Sequence, residues 1–156
     1  MIKSLEALWA SWKETRGITL NFLNDLCDAD LDKILPRKKL NTIRLQMYEL
    51  TLFQRDVVNA LGTNQLAYEE EYVYVNLPKA DIVEKMRELD AKFEKALEAL
   101  SGNEMMDYYG EQRNMHQIIA MMIGHEEMHI GQIIAFCYAI GVEIPVSVAE
   151  PMALEG

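Results

Sequence analysis

Two histidines four residues apart, His125 and His129, are the side chains of this sequence best suited to chemistry. They lie in the run Met122-Ile123-Gly124-His125-Glu126-Glu127-Met128-His129-Ile130-Gly131-Gln132-Ile133. On a helix, positions four apart sit about 40° apart around the axis, with Cβ atoms about 5–6 Å apart. Both imidazoles can therefore reach one cation, and zinc accepts such nitrogens at about 2.0–2.1 Å. Ile118, Met122, Ile133, Phe136 and Ile140 share that side, so the pair is expected to point into the protein. A lone histidine on an apolar face is usually a hydrogen-bonded core residue. Two of the chain's three histidines at this spacing favour a metal instead. The third, His116, lies nine residues before His125 and on the opposite side of the helix. A third ligand must then be a carboxylate, an amide or water from elsewhere.

The same run satisfies H-E-x-x-H, in which the glutamate of a zinc peptidase acts as general base. A peptidase also needs a substrate-binding edge strand and a downstream ligand. Downstream lie only Glu143 and Glu150, each near a proline in the tail, which makes the peptidase the weakest reading. Glu126 falls close to the inward side. It is a candidate general base or a support for the ligands, against the plainer reading of a carboxylate at the bundle rim. Glu127 points outward and reads as solvated. Met115, Met121, Met122, Met128 and Met47 read as core filling, with a methionine-lined pocket as the minority reading.

Elements that would carry this site follow from apolar periodicity. Leu5, Leu8, Trp9, Trp12, Ile18, Leu20, Phe22 and Leu23 predict a helix over about 3–26. Asp28, Asp30, Asp32 and Pro36 mark a turn. Ile43, Met47, Leu50, Val57, Val58 and Leu61 predict a second helix over about 39–61, with Gly62 as its C-cap. Residues 62–77 are the least helical. The alternation Tyr72-Val73-Tyr74-Val75 reads as an ordered connection across one end of a bundle, not as a sheet. Pro78 opens a third helix over about 78–100, striped by Ile82, Met86, Leu89, Phe93, Leu97 and Leu100. A fourth runs over about 111–140 and stops at Gly141. The tail, 141–156, holds Pro145 and Pro151 and reads as an extended strap. The expectation is one all-α domain, a four-helix bundle with an irregular connection between its second and third helices.

Composition narrows the partners. The chain has 156 residues and a formal net charge of −10, which disfavours nucleic acid and anionic membrane surfaces. Glu6 and Glu14 interrupt the opening apolar pattern, so it is not read as a secretory segment. No apolar run reaches the roughly 18 residues of a membrane helix. Cys27 and Cys137 are far apart and in no CxxC pattern; they read as reduced thiols of a cytoplasmic protein, Cys137 buried. Ile119, Ile123, Ile130 and Ile134 give the fourth helix a second apolar strip, from which a homodimer is expected.

The run His125-Glu-Glu-Met-His129-Ile-Gly131-Gln132-Ile133 resembles the last helix of the DinB/YfiT-like family of metalloenzymes. Trp9, Trp12 and Thr19-Leu20 are similar to its first helix. Thr42-Ile43-Arg44, Glu49-Leu50 and Ala60-Leu61 are similar to its second, so the likeness spans most of residues 1–140. It implies a bundle holding one divalent ion, usually on three histidines, one of them on the second helix before a Leu. Here that position is Glu49, either completing a His₂-carboxylate site or marking a lost ligand. Gln54 and Gln46 lie nearer the centre of the second helix's apolar stripe, and Gln54 reads as a hydrogen-bonded core amide.

What the resemblance implies is a divalent transition metal, zinc or nickel ahead of iron or manganese, on Glu49, His125 and His129. It also implies a thiol-dependent S-transferase or a hydrolase acting on a small molecule, and it matches a homodimer. The alternative from another class is a non-catalytic, stress-associated protein that holds metal or a small ligand.

Overall fold

The computed structural model describes residues 1–68 and 77–154. Leu5, Trp9, Trp12, Arg16, Thr19, Phe22 and Leu23 step by three and four along α1 (Lys3–Asp25) and are all buried. Past it, the aspartates read as a turn form one short helical turn, α2 (Asp28–Leu31). Arg44 donates from Nε and Nη2 to the two oxygens of Asp32 (2.6 and 3.0 Å), and also to Asp28 (2.8 Å) and the Leu77 carbonyl (3.0 Å). This planar fork clamps α2 onto α3 (Ile43–Thr63) and holds the Asp32 carboxyl below its usual range. Helix α3 starts at Ile43, later than expected from periodicity, because the Thr42 side chain accepts from the Leu45 amide (3.1 Å) as N-cap. It also runs past Gly62. The left-handed C-cap is Asn64, at φ 56°.

The third and fourth long helices are α4 (Lys79–Glu98), preceded by Pro78, and α5 (Met115–Ile140). The sequence expectation ran the last helix back to 111. In the structure Glu111–Asn114 is instead strand β3, in an antiparallel hairpin with β2 (Met105–Tyr108). A two-residue strand β1 (Gln65–Leu66) adds to β2 in parallel, so a small sheet does exist beside the bundle. Asn114 forms a reciprocal capping box with Gln117, which is why α5 begins where it does. The alternating Tyr72–Val75 segment lies outside the described residues. The tail is not simply extended: α6 (Val146–Ala149) packs on α1, with Val148 buried.

Each long helix packs mainly on two others. Helix α5 packs along α1 and more lightly on α3, while α4 packs on α3 and α1, so the four close into a bundle. Of the strip from which a homodimer was expected, Ile119, Ile130 and Ile134 are buried within the single chain and Ile123 is partly buried. Most of that strip is therefore covered by the chain's own packing. Met47, Met115 and Met122 fill the core, whereas Met128 is exposed. Among the described residues no helix is long and apolar enough to cross a membrane.

Two apolar clusters occupy the ends of the bundle, one around Phe22, Met47, Met86 and Ile133, the other around Trp9, Trp12, Phe93 and Met122. A polar group stands alongside them. Arg16 Nη1 lies 3.3 Å from the Glu126 carboxylate, Thr19 donates to Glu126 (2.5 Å), and Gln54 accepts from Arg16 (2.9 Å) and donates to Asp90 (2.8 Å). Arg16, Thr19, Gln54 and Glu126 are all buried.

Two measurements check this packing. Cys137 is fully buried and its thiol is pushed up to about 11 by burial, while Cys27 is exposed. Native protein at about pH 8 is expected to react with a disulfide reagent at Cys27 alone, and at Cys137 only after denaturation; rapid reaction of both would contradict the fold. Phe93→Ala, at a fully buried position of α4, is expected to lower stability by about 3–5 kcal/mol in a denaturant melt.

Candidate metal centre

Glu49 lies on α3 and the two histidines on α5, at the lightly packed seam between those helices. One glutamate oxygen, Oε1, is 3.4 Å from His125 Nε2; the other, Oε2, is 3.0 Å from His129 Nε2. His129 is buried, whereas about a fifth of the side chains of His125 and Glu49 is exposed, so the group opens to solvent on one side. The edge-of-stripe position that made Glu49 look marginal in sequence is what places it at this opening. Burial pushes the Glu49 carboxyl up, but hydrogen bonding and charge from His125 and His129 outweigh it and hold the group at about 2.

Gln46, one turn before Glu49, orients the buried imidazole. Its Oε1 lies 3.3 Å from His129 Nδ1, and both side chains are buried. With the ring proton on Nδ1 toward this amide oxygen, His129 Nε2 presents a lone pair to a carboxylate oxygen 3.0 Å away. Two acceptors at that distance need a proton or a cation between them. Glu49 Oε2 and His125 Nδ1 are also buried without a hydrogen-bond partner among the described residues. His125 is held from the other side by Phe53, whose ring stacks at 4.1 Å and 25°.

These residues fit a divalent ion. One ligand atom from each of Glu49, His125 and His129 lies within 4.8 Å of the others. Ligands on a tetrahedral ion with bonds of about 2.0–2.1 Å sit about 3.3–3.4 Å apart. The two glutamate–histidine separations, 3.4 Å to Oε1 and 3.0 Å to Oε2, lie near that length but use different carboxylate oxygens, so a small side-chain adjustment would bring the three onto one ion. Two neutral imidazoles and one carboxylate also form a donor set that leaves coordination positions for water or substrate.

Glu126 does not join the three. It is buried, not at a rim, and its named partners are Thr19 and Arg16 on α1. Burial pushes its carboxyl above the usual range, opposed by Arg16 and Thr19. Glu127 is exposed, as expected, with one long contact to Thr15 (3.4 Å). His116 contacts Ser4 (2.8 Å), away from the site, and Gln54 is a bonded core amide as expected.

Sequence reasoning missed the supporting roles of Gln46 and Phe53. The signal was there: Gln46, Glu49 and Phe53 are spaced three and four apart and share a face of α3. It missed Tyr68 too, which stacks on Phe53 (5.2 Å) and neighbours Tyr108 (6.1 Å) and Tyr109 (5.9 Å), because the β1–β2 pairing that joins these rings is non-local.

If Gln46 fixes the tautomer of His129, Gln46→Leu is expected to weaken zinc affinity about 10–100-fold in a competitive chelator titration, with little change in folding. Unchanged affinity would reduce Gln46 to packing.

No curated protein matches the chain. The DinB superfamily model matches residues 6–133, a span that takes in most of every long helix, Glu49 and both site histidines. Over that length, and with the bundle in place, the chain belongs to the DinB superfamily.

Proposed function

We propose that this protein is a divalent-metal-dependent enzyme of the DinB type, acting on a small molecule as a thiol-dependent S-transferase or a hydrolase, with Glu49, His125 and His129 as ligands. The observation that carries the reading is the convergence of one carboxylate and two imidazoles from two helices, with one ligand atom of each within 4.8 Å of the others. A divalent ion held there would act as a Lewis acid and ease deprotonation of a bound water or thiol. The rest belongs to the protein. Gln46 holds His129 in one tautomer, Phe53 restrains the His125 ring, and the bundle core excludes water from all but one side.

Glu126 serves in this reading as a brace and not as the base. Its carboxylate is engaged by Arg16 and Thr19, and it neighbours His125 in sequence, so it fixes the level of the ligand helix against α1. The free thiols of Cys27 and Cys137 agree with a cytoplasmic setting.

Elemental analysis of gently purified protein beside His125→Ala tests the ligand set. About one transition-metal ion per chain in the parent and none in the variant is expected, with Glu49→Gln weakened but folded. No metal in the parent, and none retained after loading with zinc, nickel, manganese or ferrous iron, would end the enzyme reading. Acid is expected to release the ion, because protons compete with it for the carboxylate and imidazole atoms that would hold it. Metal content per chain, measured by elemental analysis after dialysis at stepwise lower pH, should therefore fall. A screen of thiol-conjugation and hydrolysis substrates, with and without metal, then separates a catalyst from a protein that only holds the ion.

A further inference from the structure

The connection between α2 and α3 carries Lys33, Arg37, Lys38 and Lys39, four of the fifteen basic residues of a chain with net charge −10. Lys33 is spent on Asp30 (2.8 Å). Arg37 is placed differently. Its Nη1 donates to Gln132 Oε1 (2.8 Å), and its guanidinium lies over the Phe136 ring (5.8 Å). Gln132 is three residues beyond His129 and seven beyond His125 on α5. Residues at those spacings share one helical face, and those three apart have Cβ atoms about 5–6 Å apart. A loop side chain is thus pinned by the ligand helix itself, one turn beyond His129. The guanidinium is only partly buried and spends a single N–H on Gln132, and no carboxylate pairs with it among the described residues. It keeps further donors in a planar fork.

The opposite end of the same seam is aromatic. Phe53 stacks on His125, Tyr68 stacks on Phe53, and Tyr109 lies beside Tyr68. Tyr109 is largely exposed and sits at φ 52°, beside Gly110 at φ 86°, at the tip of the β2–β3 hairpin. Such turns favour asparagine and glycine, because a bulky side chain at positive φ is strained. A large exposed ring kept in that backbone marks the position as more than a turn.

From this we infer that Arg37 is the anion-recognition residue of the metal centre, and that the substrate is a small molecule with a carboxylate at the Arg37 end and an apolar ring or chain at the Phe53–Tyr68 end. A guanidinium fork pairs bidentately with a carboxylate or a phosphate; the single charge of Arg37 matches the single charge of a carboxylate, and phenyl phosphate tests the alternative. The inference rests on the proposed metal site for its location but not for its chemistry, because none of the contacts of Arg37 involves the three ligands.

Phenylacetate, its neutral isostere phenylacetamide and phenyl phosphate are the probes, titrated calorimetrically into metal-loaded parent and Arg37→Gln. The parent is expected to bind phenylacetate at least about tenfold tighter than phenylacetamide, since charge-assisted pairing is the difference between them. Arg37→Gln should bring that ratio close to one while metal content per chain and melting temperature hold. Arg37→Lys, which keeps the charge but loses the fork, should give an intermediate ratio. A parent ratio near one overturns the inference. So does a ratio that survives Arg37→Gln, or tighter binding of phenyl phosphate than of phenylacetate. If the parent holds no metal, the proposed function fails separately, and the same ratio measured in that metal-free protein still decides the role of Arg37.

Discussion

Arg16 and Glu126 face each other inside the bundle, 3.3 Å apart and almost wholly removed from water. An ion stranded there would cost several kcal/mol, so the pair restricts how α1 and α5 can slide or rotate against each other. Thr19, Gln54 and Asp90 complete the group, so each of the four long helices contributes at least one member. Apolar clusters tolerate repacking among similar side chains, whereas a buried charge pair has few satisfactory arrangements. The value of the group lies in specifying one register, more than in adding stability.

That register is what brings the candidate metal ligands together. Glu126 follows His125 directly, and Gln54 lies five residues beyond Glu49 on α3. Fixing Glu126 and Gln54 against Arg16 therefore fixes the levels of α5 and α3 relative to each other. The lightly packed α3–α5 seam is held from within the bundle and not by its own contacts, which leaves it open for a ligand. Gln46 and Phe53, one turn to either side of Glu49, then set the two imidazoles.

Replacing a neutral imidazole with a carboxylate has an electrostatic consequence. The resemblance implies three neutral histidines around a divalent ion; Glu49 in place of one lowers the net charge of the loaded site by one. A less positive centre attracts anions less strongly, in a chain already carrying −10. Arg37, anchored to the ligand helix through Gln132, returns a positive charge to the same face, displaced to one end. The site becomes directional, with a cation at one end of the seam and rings at the other.

The sequence alone determined what depends on local pattern. Periodicities of three and four placed the long helices because each buries one stripe, and the i, i+4 histidines and the Ile-Arg…Glu-Leu run picked out His125, His129 and Glu49 as candidates, which the fold brings together. Ends of elements were less legible. Whether 111–114 continues a helix or closes a hairpin depends on β2 and β1, distant strands that the 111–114 segment cannot name. Only the tertiary structure decided which carboxylates belong together. Glu126, beside a ligand in sequence, turns to α1, while Glu49, seventy-six residues before His125, turns toward it. A helix wheel gives the direction in which a side chain leaves its own axis, but the partner it meets is set by how neighbouring helices are rotated and staggered. Arg37 shows the same limit: in sequence it is one of several basic residues in a loop, and only folding brings it onto Gln132.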